Sequence, residues 1–97
     1  MKKAKFYKEL TRDKGLLYVI QYENNHPIIM NRIETSIMNA ATNSSYMATV
    51  EFDLSMISDY DIKMIPKVLD YYGFEADLYN NNIIGTLTIH WAQFFIN

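Results

Sequence analysis

Between Thr49 and Trp91 the hydrophobic period of the chain changes from two residues to 3.6 and back to two, and this sequence of periods restricts the fold more than any other feature. Val50, Phe52 and Leu54 alternate with Thr49, Glu51 and Asp53, as in a strand with one buried and one wet face. Ser58 then precedes Asp59 and Asp61, an N-cap followed by acids in the first turn. Ile62, Ile65, Leu69 and Tyr72 continue at helical spacing up to Gly73. Pro66 falls inside this helix, where it removes the bond to the Ile62 carbonyl and is expected to bend the axis. Phe74, Ala76 and Leu78 alternate with Glu75, Asp77 and Tyr79. After Asn80-Asn81-Asn82 an inward set of Leu87, Ile89 and Trp91 alternates with Thr86, Thr88 and His90. Asparagine tolerates positive φ, so the triplet predicts a hairpin.

The first half is less periodic. Residues 3–13 carry Phe6, Tyr7 and Leu10 at the spacing of a short amphipathic helix, which Gly15 is expected to interrupt. Leu16 to Tyr22 contains Tyr18, Val19, Ile20 and Tyr22, β-branched and aromatic types that favour a strand over continued helix. A helix is expected from His26-Pro27, because proline suits a first helical turn. Met30, Ile33, Ile37, Ala40 and Ala41 form its apolar stripe, and Asn43-Ser44-Ser45 ends it. Together these elements predict an α+β fold in two layers, a small mixed sheet with helices on one face. The strand, helix and strand over 49–79 form a βαβ-like crossover.

A length of 97 residues accommodates one core, so the chain reads as a single domain, 1–97, with a basic leader over 1–15 and an α/β unit over 28–91. The leader holds six basic residues against two acidic ones, whereas the remainder has only Arg32, Lys63 and Lys67 against nine carboxylates. With no cysteine there is neither a disulfide scaffold nor a thiolate metal site. No apolar run reaches the roughly 18 residues of a membrane span, and the leader lacks the apolar stretch of a signal peptide. An intracellular protein is therefore expected.

The order Ile33, Ile37, Ala40-Ala41, then Val50-x-Phe52-x-Leu54, then Leu69-Asp70-Tyr71-Tyr72-Gly73-Phe74, then Leu87-Thr88-Ile89-His90-Trp91 resembles small tailed-phage proteins. Their pattern is a helix with a small-residue end, a strand, a helix ending in Gly-Phe or Gly-Tyr, and a closing Leu-x-Ile-x-Trp strand. The likeness spans about residues 28–91. His90 departs from it, standing where serine is expected, and so does the extension through Phe94-Phe95-Ile96. The resemblance supplies no catalytic residue; it implies a viral accessory or virion-associated protein, in the host cytoplasm or the virion.

Chemical motifs are sparse. The glycines Gly15, Gly73 and Gly85 are isolated and make no phosphate loop, and His26 and His90 have no ligand-pair spacing. His26, beside a proline at a helix start, reads as a capping or solvated group, and Ser58 as a cap before a nucleophile. No enzyme, cofactor or metal is therefore expected. Glu51, Asp53, Glu75, Asp77 and Tyr79 share the wet face of the predicted sheet. Carboxylates there, with His90, could hold a divalent cation, although solvated alternation accounts for them equally well. As a surface they suit a basic protein partner and repel phosphate, which makes nucleic acid an unfavourable partner for this face. The basic leader keeps a nucleic-acid or nucleotide-binding module as the alternative function. Phe94, Phe95 and Ile96 are candidate contacts of a homodimer, since a small sheet leaves edges that a second copy could cover.

Overall fold

A computed structural model describes residues 14–92 together with 3–5 and 8. The elements are α1 (Lys14–Asn25), α2 (Pro27–Thr42), β1 (Met47–Asp53), α3 (Asp59–Tyr71), β2 (Glu75–Asn80) and β3 (Ile84–His90). The α+β expectation is met, with α2 packed on β1, α3 on β2, and α1 packed mainly against α3. Strand order is β1-β3-β2 and every neighbouring pair is antiparallel, where a mixed sheet was expected. Because β1 and β2 each run opposite to β3, they are parallel to one another. The β1–α3–β2 crossover thus skips one position, which the returning β3 fills.

Leu16 to Tyr22, expected as a strand, is the body of α1, and Gly15 lies in its first turn rather than breaking the chain. Leu16, Val19 and Tyr22 are the buried residues of this segment, and their three-residue spacing puts them on one helical face. Burial of that face outweighs the intrinsic strand preference of the side chains. Pro27 stands at the start of α2 as expected, and α2 ends through Asn43 with Ser44 at φ 63°. Ser58 caps α3 as expected. At the other end Gly73 adopts φ 92°, Gly73 N–H donates to Asp70 O, and Phe74 N–H donates to Leu69 O at 3.0 Å. These are the two bonds of a Schellman cap, which needs a residue tolerant of positive φ followed by an apolar one. The Gly73-Phe74 pair is therefore a helix stop that launches β2.

The strand alternation is as read from the sequence. Ala48, Val50 and Phe52 face inward from β1, and Leu87 and Ile89, both 0% exposed, face inward from the central strand. They meet Ile65, Val68 and Leu69 of α3, Ile33 of α2, and Val19 and Tyr22 of α1. Gly85 ends the inward row of β3, where a Cβ would come within 3.3 Å of Leu54 Cδ2 and 3.6 Å of both Ile57 Cδ1 and Leu78 Cδ1. Trp91, expected among the fully inward residues, is only half-buried. It lies just past β3 and meets Phe74 edge-on, ring centroids 6.0 Å apart. The hairpin forms without positive φ in its asparagines: Asn81 Oδ1 accepts from the N–H groups of Ile83 and Ile84 at 2.8 and 2.7 Å. The side chain thus acts as a substitute turn carbonyl.

These burial differences order the core substitutions. Ile89→Ala should cost about 2–5 kcal/mol, whereas Trp91→Ala should cost roughly half of the 3–5 kcal/mol typical of a fully buried tryptophan. Urea titration of both variants checks the ranking, and a larger loss for Trp91→Ala contradicts it.

Candidate functional site

Among the described residues the helices α1, α2 and α3 lie on one face of the sheet, and no described element covers the other. The register arranges it in rows: Met47–His90–Glu75, Thr49–Thr88–Asp77 and Glu51–Thr86–Tyr79, with Asp53 opposite Ile84. Glu51, Asp53, Glu75, Asp77 and Tyr79 are all exposed on this face, Tyr79 at 67%. The structure brings them onto one surface without making them neighbours. β1 and β2 are separated by β3, which holds the two acidic pairs two strand spacings apart, about 9–10 Å. A band of Thr86, Thr88 and His90 runs between them.

Two of these carboxylates have partners. Glu75 Oε2 lies 3.4 Å from His90 Nδ1. Asp53 Oδ1 accepts from Ser55 N–H at 2.9 Å and from its hydroxyl at 2.8 Å, and these bonds hold the Asp53 carboxyl below its ordinary value. Glu51 and Asp77 project without a side-chain partner among the described residues. No group of three or more His, Asp or Glu close enough to hold a metal ion occurs among the described residues. No helix of the described residues is long and apolar enough to cross a membrane. Phe94, Phe95 and Ile96, and residues 6, 7 and 10 of the expected leader helix, lie outside the described residues.

Two apolar grooves flank the helix layer. The larger, about 610 Å³, runs between α2 and the end of α3, with Met30, Ile33, Ile37, Leu69 and Phe74 as its floor and Glu23 and Glu34 on its rim. Tyr72 closes one end by donating its hydroxyl to Glu23. Burial, reinforced by that carboxylate, pushes the phenol up from its ordinary value. The smaller groove, about 440 Å³, follows β1 beneath the start of α2. Both carry carboxylates, which disfavours a phosphate-bearing ligand in either.

The residue missed in the sequence is Asp61. Its carboxylate is buried, 5% exposed, at the start of α3. Oδ2 accepts from Ser58 N–H at 2.8 Å and Ser58 Oγ at 3.1 Å, while Asp61 N–H donates back to Ser58 Oγ at 3.2 Å, which completes a capping box. Oδ1 accepts from the Tyr22 hydroxyl at 2.8 Å and lies 3.3 Å from His26 Nε2. The other ring nitrogen of His26 sits 2.9 Å from Tyr22 O, and the two rings stack with centroids 4.0 Å apart. Burial alone pushes the Asp61 carboxyl up, but Ser58, Tyr22 and His26 together outweigh it and hold it below the ordinary value. Burial and the same carboxylate raise the Tyr22 phenol. Neither groove opens onto this Tyr–Asp–His cluster. It ties the end of α1 to the start of α3. His26 stands at the N-cap position of α2 but makes no side-chain cap bond there; its ring nitrogens lie against Tyr22 O and the Asp61 carboxylate instead. Ser58-x-x-Asp61 carried a signal for half of the cluster, whereas Tyr22 and His26 share a face only once α1 is known to be helical.

No family model, curated protein or solved structure matches the chain.

Because Asp61 is held below its unfolded value, its carboxylate contributes stability above about pH 3.9. That contribution is lost as pH falls through the lower folded value. Asp61→Ala removes a helix cap and leaves the Tyr22 hydroxyl buried without an acceptor, an expected loss of about 2–4 kcal/mol at neutral pH. Asp61→Asn should flatten the acid limb of the stability profile. Urea midpoints between about pH 2 and 7 read both effects, and an Asp61→Asn profile parallel to that of the unaltered chain contradicts the assignment.

Proposed function

We propose that this chain is a noncatalytic interaction protein of the small tailed-phage type, an accessory or virion-associated component that docks its acidic sheet face onto a basic protein surface. The observation that carries this reading is the position of Glu51, Asp53, Glu75 and Asp77 on the sheet face that no helix of the described residues covers. An antiparallel face with threonines at its centre, acids along both sides and Tyr79 at one corner offers charge complementarity over a broad area and an aromatic anchor within it. The same charges repel nucleic acid. The most catalysis-like group of side chains, Tyr22, His26 and Asp61, is consumed in joining two helices, which supports a noncatalytic role. The partner is a host factor or another component of the same particle, met in the host cytoplasm or the virion.

Glu51→Lys, Glu75→Lys and Asp77→Lys together leave the Ser55 turn intact while inverting the face. Partner binding should weaken by at least about tenfold, mainly through slower association, and binding by the unaltered chain should weaken as salt is raised. Capture of the partner should survive nuclease treatment. Binding indifferent to the triple reversal overturns the acidic-face reading, and capture abolished by nuclease replaces it with the nucleic-acid alternative.

A further inference from the structure

We infer that the outer edge of β1 is a self-complementary interface, through which two copies of this chain join their sheets into one continuous sheet of six strands, three from each copy. This goes beyond the partner-binding reading and does not depend on it.

The main-chain bookkeeping of β1 leads to this conclusion. Trp91 N–H donates to Tyr46 O and Leu54 N–H donates to Ile83 O, both at 3.1 Å, at opposite ends of an unbroken antiparallel register. Alternation then turns the N–H and C=O of the even-numbered residues toward β3, and those of Met47, Thr49, Glu51 and Asp53 toward the outer edge. Met47 is engaged at both groups and Asp53 at one. Met47 N–H and C=O are both bonded by Ser45 Oγ, and Asp53 C=O accepts from Met56 N–H. Thr49 and Glu51 retain a free N–H and a free C=O each, on an edge that no strand of the described residues covers.

A second copy of β1, antiparallel about a twofold axis through Val50, places Thr49 opposite Glu51 of its mate and Glu51 opposite Thr49. The N–H and C=O groups of Thr49 and Glu51 in each copy then meet those of the other in four main-chain hydrogen bonds. The neighbouring registers are poorer, because centring on Thr49 pairs Glu51 with the fully engaged Met47, and centring on Glu51 pairs Thr49 with the partly engaged Asp53 and sets two Glu51 carboxylates opposite each other. In the Val50 register no like charges stand directly opposite, and on the inner face small Ala48 faces large Phe52. The flank is prepared as well. The groove of about 440 Å³ beside this edge is lined by Ile28, Ile29, Arg32, Phe52, Met56 and Ile57, and Ile28 and Met56 are 84% and 79% exposed. The mate's α2 would approach this flank on the same side of the joined sheet, covering apolar side chains that a lone copy leaves in water.

Sedimentation equilibrium of the full chain tests the proposal. A monomer–dimer equilibrium is expected, and it should tighten between about 0.05 and 0.5 M salt, because Glu51 and Asp53 of both copies gather on one face. That sign is opposite to the salt response of a basic partner on the acidic face, so the two readings fail separately. Thr49→Pro removes an edge N–H that bonds nothing within the copy and should weaken dimerisation at least about tenfold. Ile28→Asp with Met56→Asp, two exposed positions, should weaken it without loss of fold, as verified by circular dichroism. The chain has no cysteine. Copies carrying Thr49→Cys should therefore cross-link with copies carrying Glu51→Cys faster than either with itself. A chain that stays monomeric at every accessible concentration overturns the interface. So does a dimer insensitive to both edge and groove variants, or one abolished only by truncation after Ala92.

Discussion

The buried carboxylate of Asp61 is the interaction on which the arrangement of helices depends. Taking a carboxylate out of water is costly unless its lone pairs are met by donors. Here Oδ2 is met by the Ser58 backbone and hydroxyl, and Oδ1 by the Tyr22 hydroxyl, with the His26 ring 3.3 Å away. Each of these neighbours also fixes something else. Ser58 starts α3. Tyr22 seats the last turn of α1 against that start. His26, with its second nitrogen on the Tyr22 carbonyl, marks the break where α1 stops and Pro27 begins α2. One carboxylate thus joins the end of α1, the α1–α2 junction and the start of α3.

The legible part of the fold was the part whose pattern is local. Alternation in 49–54 and 74–79 located two strands, and Ser58, Gly73 and Pro27 located helix ends, because caps and turns depend on a few adjacent residues. Leu16 to Tyr22 misled because Tyr18, Val19 and Tyr22 prefer extended backbone. Only the contact of α1 with α3, fixed by a bond between residues 39 apart in sequence, selects the helix. The same distance hid the Tyr22–His26–Asp61 cluster, of which Ser58-x-x-Asp61 was the sole visible trace. Alternation puts Trp91 one step too deep because it gives facing but not the end of a strand. β3 stops at His90, and the tryptophan packs against Phe74 at the rim.

Facing was also enough to gather Glu51, Asp53, Glu75, Asp77 and Tyr79 on one surface, but it could not give strand order. The two acidic strands follow each other through α3, and a simple crossover would have set them side by side with four carboxylates crowded together. Insertion of β3 between them relieves that repulsion. It places the uncharged side chains of Thr86 and Thr88 in the middle and leaves one acidic pair on each edge strand. The charge is thereby spread along two margins of the face rather than gathered at one point.

This order has a second consequence, because placing the acids on edge strands gives β1 two interaction directions at right angles. Its side chains Glu51 and Asp53 point out of the sheet plane, while the free N–H and C=O of Thr49 and Glu51 point along it. A charge on an edge strand usually guards against promiscuous pairing. At this edge the guard is selective: a neighbouring strand that places an acid opposite Glu51 is repelled, whereas one that offers a threonine there is accepted. β1 itself, read in reverse, offers that threonine. Edge pairing would leave the outward carboxylates exposed and double the acidic face on one surface, so self-pairing and partner docking use different atoms of the same residues and do not compete.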